Sequence, residues 1–384
     1  MSEIKVNSIK GVGASTAAIT VNNTDGTCAV NNTQRQGKNL VINGGMLCSQ
    51  RGSSFSQVAN NDITLDRFGL LHPYSTNFDV SQSTDSPDGF SKSYKLDINV
   101  VDSSIGSGQY VAIRHKIEAQ NLQQLAFGTS AAKSISLSFY VKSNKTGTFA
   151  VNIQQTDNSS KQVSAPYTIN SANTWERKTF TFAGDTSGVI NDDNGIGLTI
   201  IWWLSAGSTY SSGTSRPTFT AHADADSAVG CNVNILDSTS NNFYLTGVQL
   251  ETSDAASDFE HLTYAQELAL CQRYYIRYGD TAMVYYNMGN IDGPNEAQTF
   301  TIFPTEMRVA PTSLETSGTA TDYFLRVNTN QTCTSVPTLS GGNKTTKDCE
   351  VIFRCNGHGF TSGQACFGRA ANTANSFLGF SAEL

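Results

Sequence analysis

"SISLSFYVKSNKTGTFAVNIQQT", residues 134–156, alternates apolar and polar side chains twice, with a polar Asn-Lys-Thr-Gly interruption between. Ile135, Leu137, Phe139 and Val141 fall on one face of the first run, and Phe149, Val151 and Ile153 on one face of the second. A period of two places alternate side chains on opposite sides of an extended chain, so each run reads as a half-buried β-strand. Moving outward, "SYKLDINV" sets Tyr94, Leu96, Ile98 and Val100 on one face, and "KTFTFAG" does so with Phe180 and Phe182. "GLTIIWWLSAG", 197–207, differs because both registers are apolar. That predicts a mid-sheet strand whose second face is covered or used for binding. With only a short helical possibility near "EAQNLQQLA", the pattern predicts an all-β chain whose centre, 38–262, is an antiparallel jelly-roll β-sandwich.

"FEHLTYAQELALCQRYYIRYG", 259–279, is the exception and reads as a helix. Thr263 and Gln266 fit a capping box, and Tyr264, Leu268, Cys271 and Tyr275 fall on one stripe, which is therefore expected to be buried. A connector helix over 263–277 would close the sandwich and orient a smaller β-sandwich, 278–384, written in alternations such as "AQTFTIFP" and "CEVIFRCNG". Residues 1–37 hold two short alternating pieces around Asp25-Gly26 and bury too little to fold alone, so they read as an attachment segment.

The 384 residues exceed one core, in keeping with several domains. Charged residues make up 15%, against roughly 25% in ordinary soluble domains, and the net charge of −7 argues against a nucleic-acid partner. The first residues lack a signal-peptide pattern, and the longest apolar run, 198–204, is far short of a membrane span, so synthesis in the cytoplasm without membrane insertion is expected. Eight cysteines without a C-x-x-C pair give no zinc signature. Cys333, Cys349, Cys355 and Cys366 read as buried thiols or as disulfides formed after release.

Five pieces carry a resemblance: "KNLVINGGMLCSQRGSSF" (38–55) with "DITLDRFG" (62–69), "GVQLE" (247–251), "FEHLTYAQELALCQRYY" (259–275) and "FPTEMRVAPT" (303–312). In this order they resemble the bodies of bacteriophage tail-fibre and appendage proteins of marine and cyanophage type. "SEIKVNSIKG" is similar to the anchoring repeats of such fibres. The resemblance implies a carbohydrate-binding-module-like jelly roll with a terminal β domain, a homotrimer, attachment to other virion proteins through 1–37, and a virion location. Ser49 and Phe68 stand where relatives often carry Trp, and Leu262 where an arginine is common, which removes aromatic mass from one corner. Asp66, Arg67, Glu260 and Arg273 are expected to be partners in one ion and hydrogen-bond network tying the helix to the first strands.

The chemistry expected is host-surface polysaccharide recognition without catalysis. A sugar ring stacks its C–H face on a flat aromatic while amides and hydroxyls satisfy its hydroxyls, which nominates Trp203 and the outward member of Tyr285 and Tyr286. Against this, large aromatics are mostly buried, and a loop or a neighbouring subunit covering Trp203 is the commoner outcome. No cofactor is expected. "NDDNG" with Asp192 and Asp193, and "ADADS" with Asp224 and Asp226, invite a structural calcium, but neither is a full calcium loop and plain Asx-turns explain them. No G-x-S-x-G or H-E-x-x-H occurs, and a glycosidase would need two carboxylates at a set separation that sequence does not reveal. The alternatives are a structural spacer, a head decoration protein or a polysaccharide depolymerase.

Overall fold

The computed structural model describes residues 8–9, 19–21, 28–30, 37–74, 78–157, 160–279 and 281–384. The chain is all-β, and its centre is a jelly-roll-type sandwich of two six-stranded antiparallel sheets. One sheet runs, in spatial order, Thr220–Ala221, Lys161–Ile169, Gly147–Gln155, Ile196–Ala206, Tyr110–Glu118, Phe68–Leu71. The other runs Glu176–Phe182, Ile135–Ser143, Asn242–Thr252, Ser93–Ile98, Phe78–Ser83, Ser54–Phe55. The two strands at 135–143 and 147–155 do not pair; they belong to opposite sheets and face each other across the core. Their alternation is what permits this, since Phe139 on one sheet reaches Trp202 on the other with ring centroids 5.9 Å apart. Register aligns the apolar faces within a sheet as well: Val151 lies opposite Trp202, and Trp202 opposite Ile113.

Several local signals have clear structural reasons. Ile196–Ala206 does sit mid-sheet with both faces covered. Gly44 in "NGGM" lies against the bulged strand Asn242–Thr252, where Val248 N donates to Gly44 O at 2.9 Å. A Cβ on Gly44 would fall 2.0 Å from Val248 O, so only glycine permits that approach. The "EAQNLQQLA" segment is a 3-10 helix, Ala119–Leu125. Val100 departs from its expected face: the strand ends at Ile98, and Val100 is 50% exposed beyond it.

The connector helix is shorter than expected. It spans Tyr264–Gln272, with the Thr263/Gln266 capping box formed at its start, and gives way to a strand, Tyr275–Gly279. Aromatic and branched residues at 275–278 favour extended backbone, and pairing with Phe377–Ser381 satisfies it. The buried stripe is also different. Cys271 and Tyr275 are buried as expected and Leu268 is half-buried, but Tyr264 is exposed, and Glu267 and Tyr274 are buried in addition.

Beyond the helix, a three-stranded sheet (Tyr275–Gly279, Phe377–Ser381, Ser313–Glu315) faces a seven-stranded one. The larger sheet runs Asn330–Thr332, Tyr323–Arg326, Ala365–Ala370, Tyr285–Gly293, Glu296–Ile302, Asp348–Arg354, Thr338–Lys344. Ile276, Phe380, Tyr323 and Phe353 are among the core between them. In the first segment, Ser8–Ile9, Ile19–Val21 and Cys28–Val30 form a small antiparallel sheet. The Asp25-Gly26 turn lies outside the described residues.

Candidate functional site

Trp203 is no exposed platform, which corrects that expectation. It is 5% exposed, on the outer face of its sheet, and residues of the 206–231 segment cover it. Tyr210 and Tyr110 pack on its ring with centroids 5.2 and 5.5 Å away, and Ala112, Ala150 and Ala228 complete the contact. The polar side chains beside it serve the same cover: Ser164 Oγ donates to Asp226 O at 2.7 Å, and Gln162 Nε2 to Ala223 O at 2.8 Å. One carboxylate of each suspected calcium stretch is engaged locally. Asp226 accepts from Thr214 N at 2.7 Å and Arg216 Nε at 2.8 Å, and Asp193 accepts from Gly195 N at 2.7 Å in an Asx-turn. Among the described residues no cluster of His, Cys, Asp and Glu has the grouping to hold a metal ion.

Asp66, Arg67, Glu260 and Arg273 lie along the junction of helix, first strands and final strand, but they are not one another's partners. Arg273 grips Glu118, Nε to Oε2 at 2.8 Å and Nη2 to Oε1 at 2.6 Å, and the Tyr274 hydroxyl adds a third bond at 2.7 Å. Burial alone would raise the Glu118 carboxyl; the bonds from Arg273 and Tyr274 outweigh it and hold it below the usual range. Arg67 pairs with Glu383, donates to Lys116 O at 2.7 Å and lies 3.6 Å above the Tyr274 ring. Asp66 accepts from Gln50 N and Nε2 at 2.9 and 2.8 Å, yet burial still pushes it up to about 6. Glu260 caps the backbone amides of Gly37 and Asn39.

The seam has a wider logic. Arg51, from the "QRG" motif, bonds Glu315 and Glu383 at 3.3 Å each and stacks over Tyr275. Arg308, from "MR", donates to Ala382 O, Asn194 O and Glu383 O at 2.8–2.9 Å. Four motif arginines, Arg51, Arg67, Arg273 and Arg308, therefore converge on one junction, and Glu118, Glu315 and Glu383 supply carboxylates. Sequence reasoning missed those three glutamates. The signal present was an acidic residue closing an apolar alternation, as in "YVAIRHKIE".

Tyr285 and Tyr286 come together in an open groove of about 580 Å³ on the seven-stranded sheet. Tyr278, Asn287, Met288, Phe300, Thr301, Ile302 and Phe367 also line it. The register with Ala365–Ala370 shifts between Tyr285 and Asn287, a bulge that breaks the regular alternation where both tyrosines line the groove. Tyr285 is 49% exposed, while Tyr286 is half-buried and bonded through its hydroxyl to Ser376. Arg369 lies 4.7 Å from the Tyr285 ring centroid, and Phe367 meets the ring edge-on at 5.5 Å. Asn287 donates to Thr301 Oγ1 at 3.1 Å, and its Oδ1, buried, has no hydrogen-bond partner. A smaller pocket of about 300 Å³ lies between Phe90, Phe259, His261 and Glu267.

No family model and no curated protein matches the chain. Solved structures similar to parts of it include the enzymatically active domain of bacteriophage CBA120 tailspike protein 4, at 15% identity and TM-score 0.30 over 56% of this chain. That match spans 22% of the tailspike chain. A family 11 carbohydrate-binding module from Clostridium thermocellum, in complex with a β-1,3-1,4-mixed-linked tetrasaccharide, is 10% identical at TM-score 0.27, covering 54% of this chain and 98% of its own. A xylan-binding domain of family 22 is 10% identical at TM-score 0.29, covering 54% and 99%.

Proposed function

We propose that the chain is a non-catalytic virion fibre or appendage protein that contacts host-surface glycans through the groove at Tyr285. The observation carrying this reading is an aromatic ring, Tyr285, 49% exposed in a concavity that Asn287 and Thr301 also line. The ring offers a stacking face, and Asn287 and Thr301 offer polar groups for sugar hydroxyls. Residues 1–37 would attach the protein to other virion components, and three copies about one axis would add individually weak contacts into avidity. No cofactor enters this reading. The motif order 38–312 supports the fibre assignment. The test is a glycan array with intact protein: Tyr285→Ala should lose binding by tenfold or more at unchanged melting temperature. Unchanged binding removes the groove, a monomer mass in solution removes the trimer, and shortening of host polysaccharide removes the non-catalytic assignment.

A second reading, a structural spacer or decoration protein, is favoured by the apolarity of the same face. Cross-strand register aligns Arg326, Phe367, Met288, Phe300 and Glu350 in one row. Met288 and Ile302 are 63% and 73% exposed, and apolar patches of this kind often mark protein interfaces. Under that reading Met288→Glu with Ile302→Glu lowers the mass of the assembly, whereas under the glycan reading the mass stays unchanged.

A further inference from the structure

We propose that Cys333 and Cys355 form a disulfide once the protein meets an oxidising surrounding, and that this bond staples the seven-stranded sheet across its span. The two sulfurs lie 3.2 Å apart, and both residues are buried at 2% and 0% exposure. Their backbones are already tied to each other, with Thr334 N donating to Arg354 O at 2.8 Å. Each is also anchored separately, Cys333 N to Tyr323 O at 3.0 Å and Cys355 N to Asn295 O at 2.8 Å. The final bond therefore asks only for a small approach of two side chains, while the oxidant reaches the buried Cys355 through a local opening of the chain around it.

The location gives the bond its consequence. Cys333 follows the strand Asn330–Thr332, at one edge of the sheet, and Cys355 follows Asp348–Arg354, beside the opposite edge. Four strands stand between them in the hydrogen-bond ladder. The sheet curls so that these distant members meet, and the covalent bond would join what the ladder does not. Cys349 and Cys366 are equally buried, and burial pushes their thiols up, as the hydrogen bond with Cys355 and burial do that of Cys333, so what sets Cys333 apart is the Cys355 sulfur 3.2 Å away. Cys48 and Cys271 also adjoin, at the helix seam.

The step balances with a low-molecular-weight disulfide such as oxidised glutathione. The Cys355 thiolate, favoured by its hydrogen bond with Cys333, attacks one sulfur of the reagent; that S–S bond breaks and one glutathione thiolate leaves. Cys333 then loses its proton and attacks the Cys355 sulfur of the mixed disulfide, expelling the second glutathione thiolate. Two protein thiols lose two electrons and two protons, and the reagent takes them up as two thiols.

The experiment incubates the folded full chain with oxidised glutathione, blocks remaining thiols in denaturant, and maps non-reduced peptides by mass. The expected result is a linked peptide pair containing Cys333 and Cys355, with melting raised by about 5 °C or more over the reduced protein. Cys333→Ser should abolish both, and Cys349→Ser neither. Both cysteines recovered blocked, or either one linked elsewhere, overturns the proposal; the linked pair without a rise in melting overturns the staple.

Discussion

Arg273, at the end of the connector helix, clamps Glu118, the last residue of a strand 155 positions earlier, through two parallel hydrogen bonds of 2.8 and 2.6 Å. Glu118 is fully buried and Arg273 only partly, so the carboxylate depends on this partner far more than the guanidinium does. A planar fork meeting a carboxylate is the geometry arginine supplies and lysine does not.

Arg273→Ala is therefore expected to cost about 3 kcal/mol, because a buried charge loses its main partner. Chemical denaturation read by tryptophan fluorescence measures it. Arg273→Lys should recover less than half of the loss. A loss below about 0.5 kcal/mol would show that the pair behaves as a surface ion pair.

Glu383 binds Arg51 and Arg67, which are 9% and 3% exposed, and so joins the first loops of the sandwich to the segment that follows the last strand, Phe377–Ser381. Glu383→Ala should destabilise by about 3 kcal/mol and loosen the coupling between the central sandwich and the C-terminal sheets. Calorimetry should then resolve two transitions, against one expected for the unaltered protein. A single transition at the original temperature would contradict the role assigned to this residue.

The two ends of the seam respond to pH with opposite sign. Asp66, pushed up to about 6 by burial, binds its proton more tightly folded than unfolded. Its contribution is fully present below the unfolded value near 4 and is lost as pH rises through 6. Lowering pH from 7 to 5 should thus add about 1 kcal/mol, a gain that Asp66→Asn removes. Glu118, held low by Arg273 and Tyr274, contributes above its unfolded value and loses that contribution only as pH falls further. Stability against pH, compared between the two proteins, checks the sign.

Gly44→Ala must move either its own loop or the strand at Val248, since the added carbon meets a backbone oxygen and not a flexible side chain. A loss of about 2 kcal/mol or more is expected. Gly52, with open space around its Cβ position but a φ of 132°, should lose less on the same substitution. Paired melting curves compare them.

Local sequence was enough for much of the fold. The period-two runs at 94–98, 135–141 and 149–153 fixed which side chains face the core, because pleating is a property of neighbouring residues. Thr263 and Gln266 likewise announced the helix start, since capping is satisfied within one turn. The helix end was less legible: "QRYYIRYG" carries helix and strand propensity together, and pairing with Phe377–Ser381 settled it. Tertiary structure alone decided that residues 135–143 and 147–155 join opposite sheets. It alone brought Glu118, Glu315 and Glu383 to the motif arginines and folded 206–231 over Trp203. The physical reason is range. Alternation and capping act over a few residues, whereas a buried charge takes its partner from whatever the packed chain brings within about 3 Å, here 155, 264 and 316 positions away.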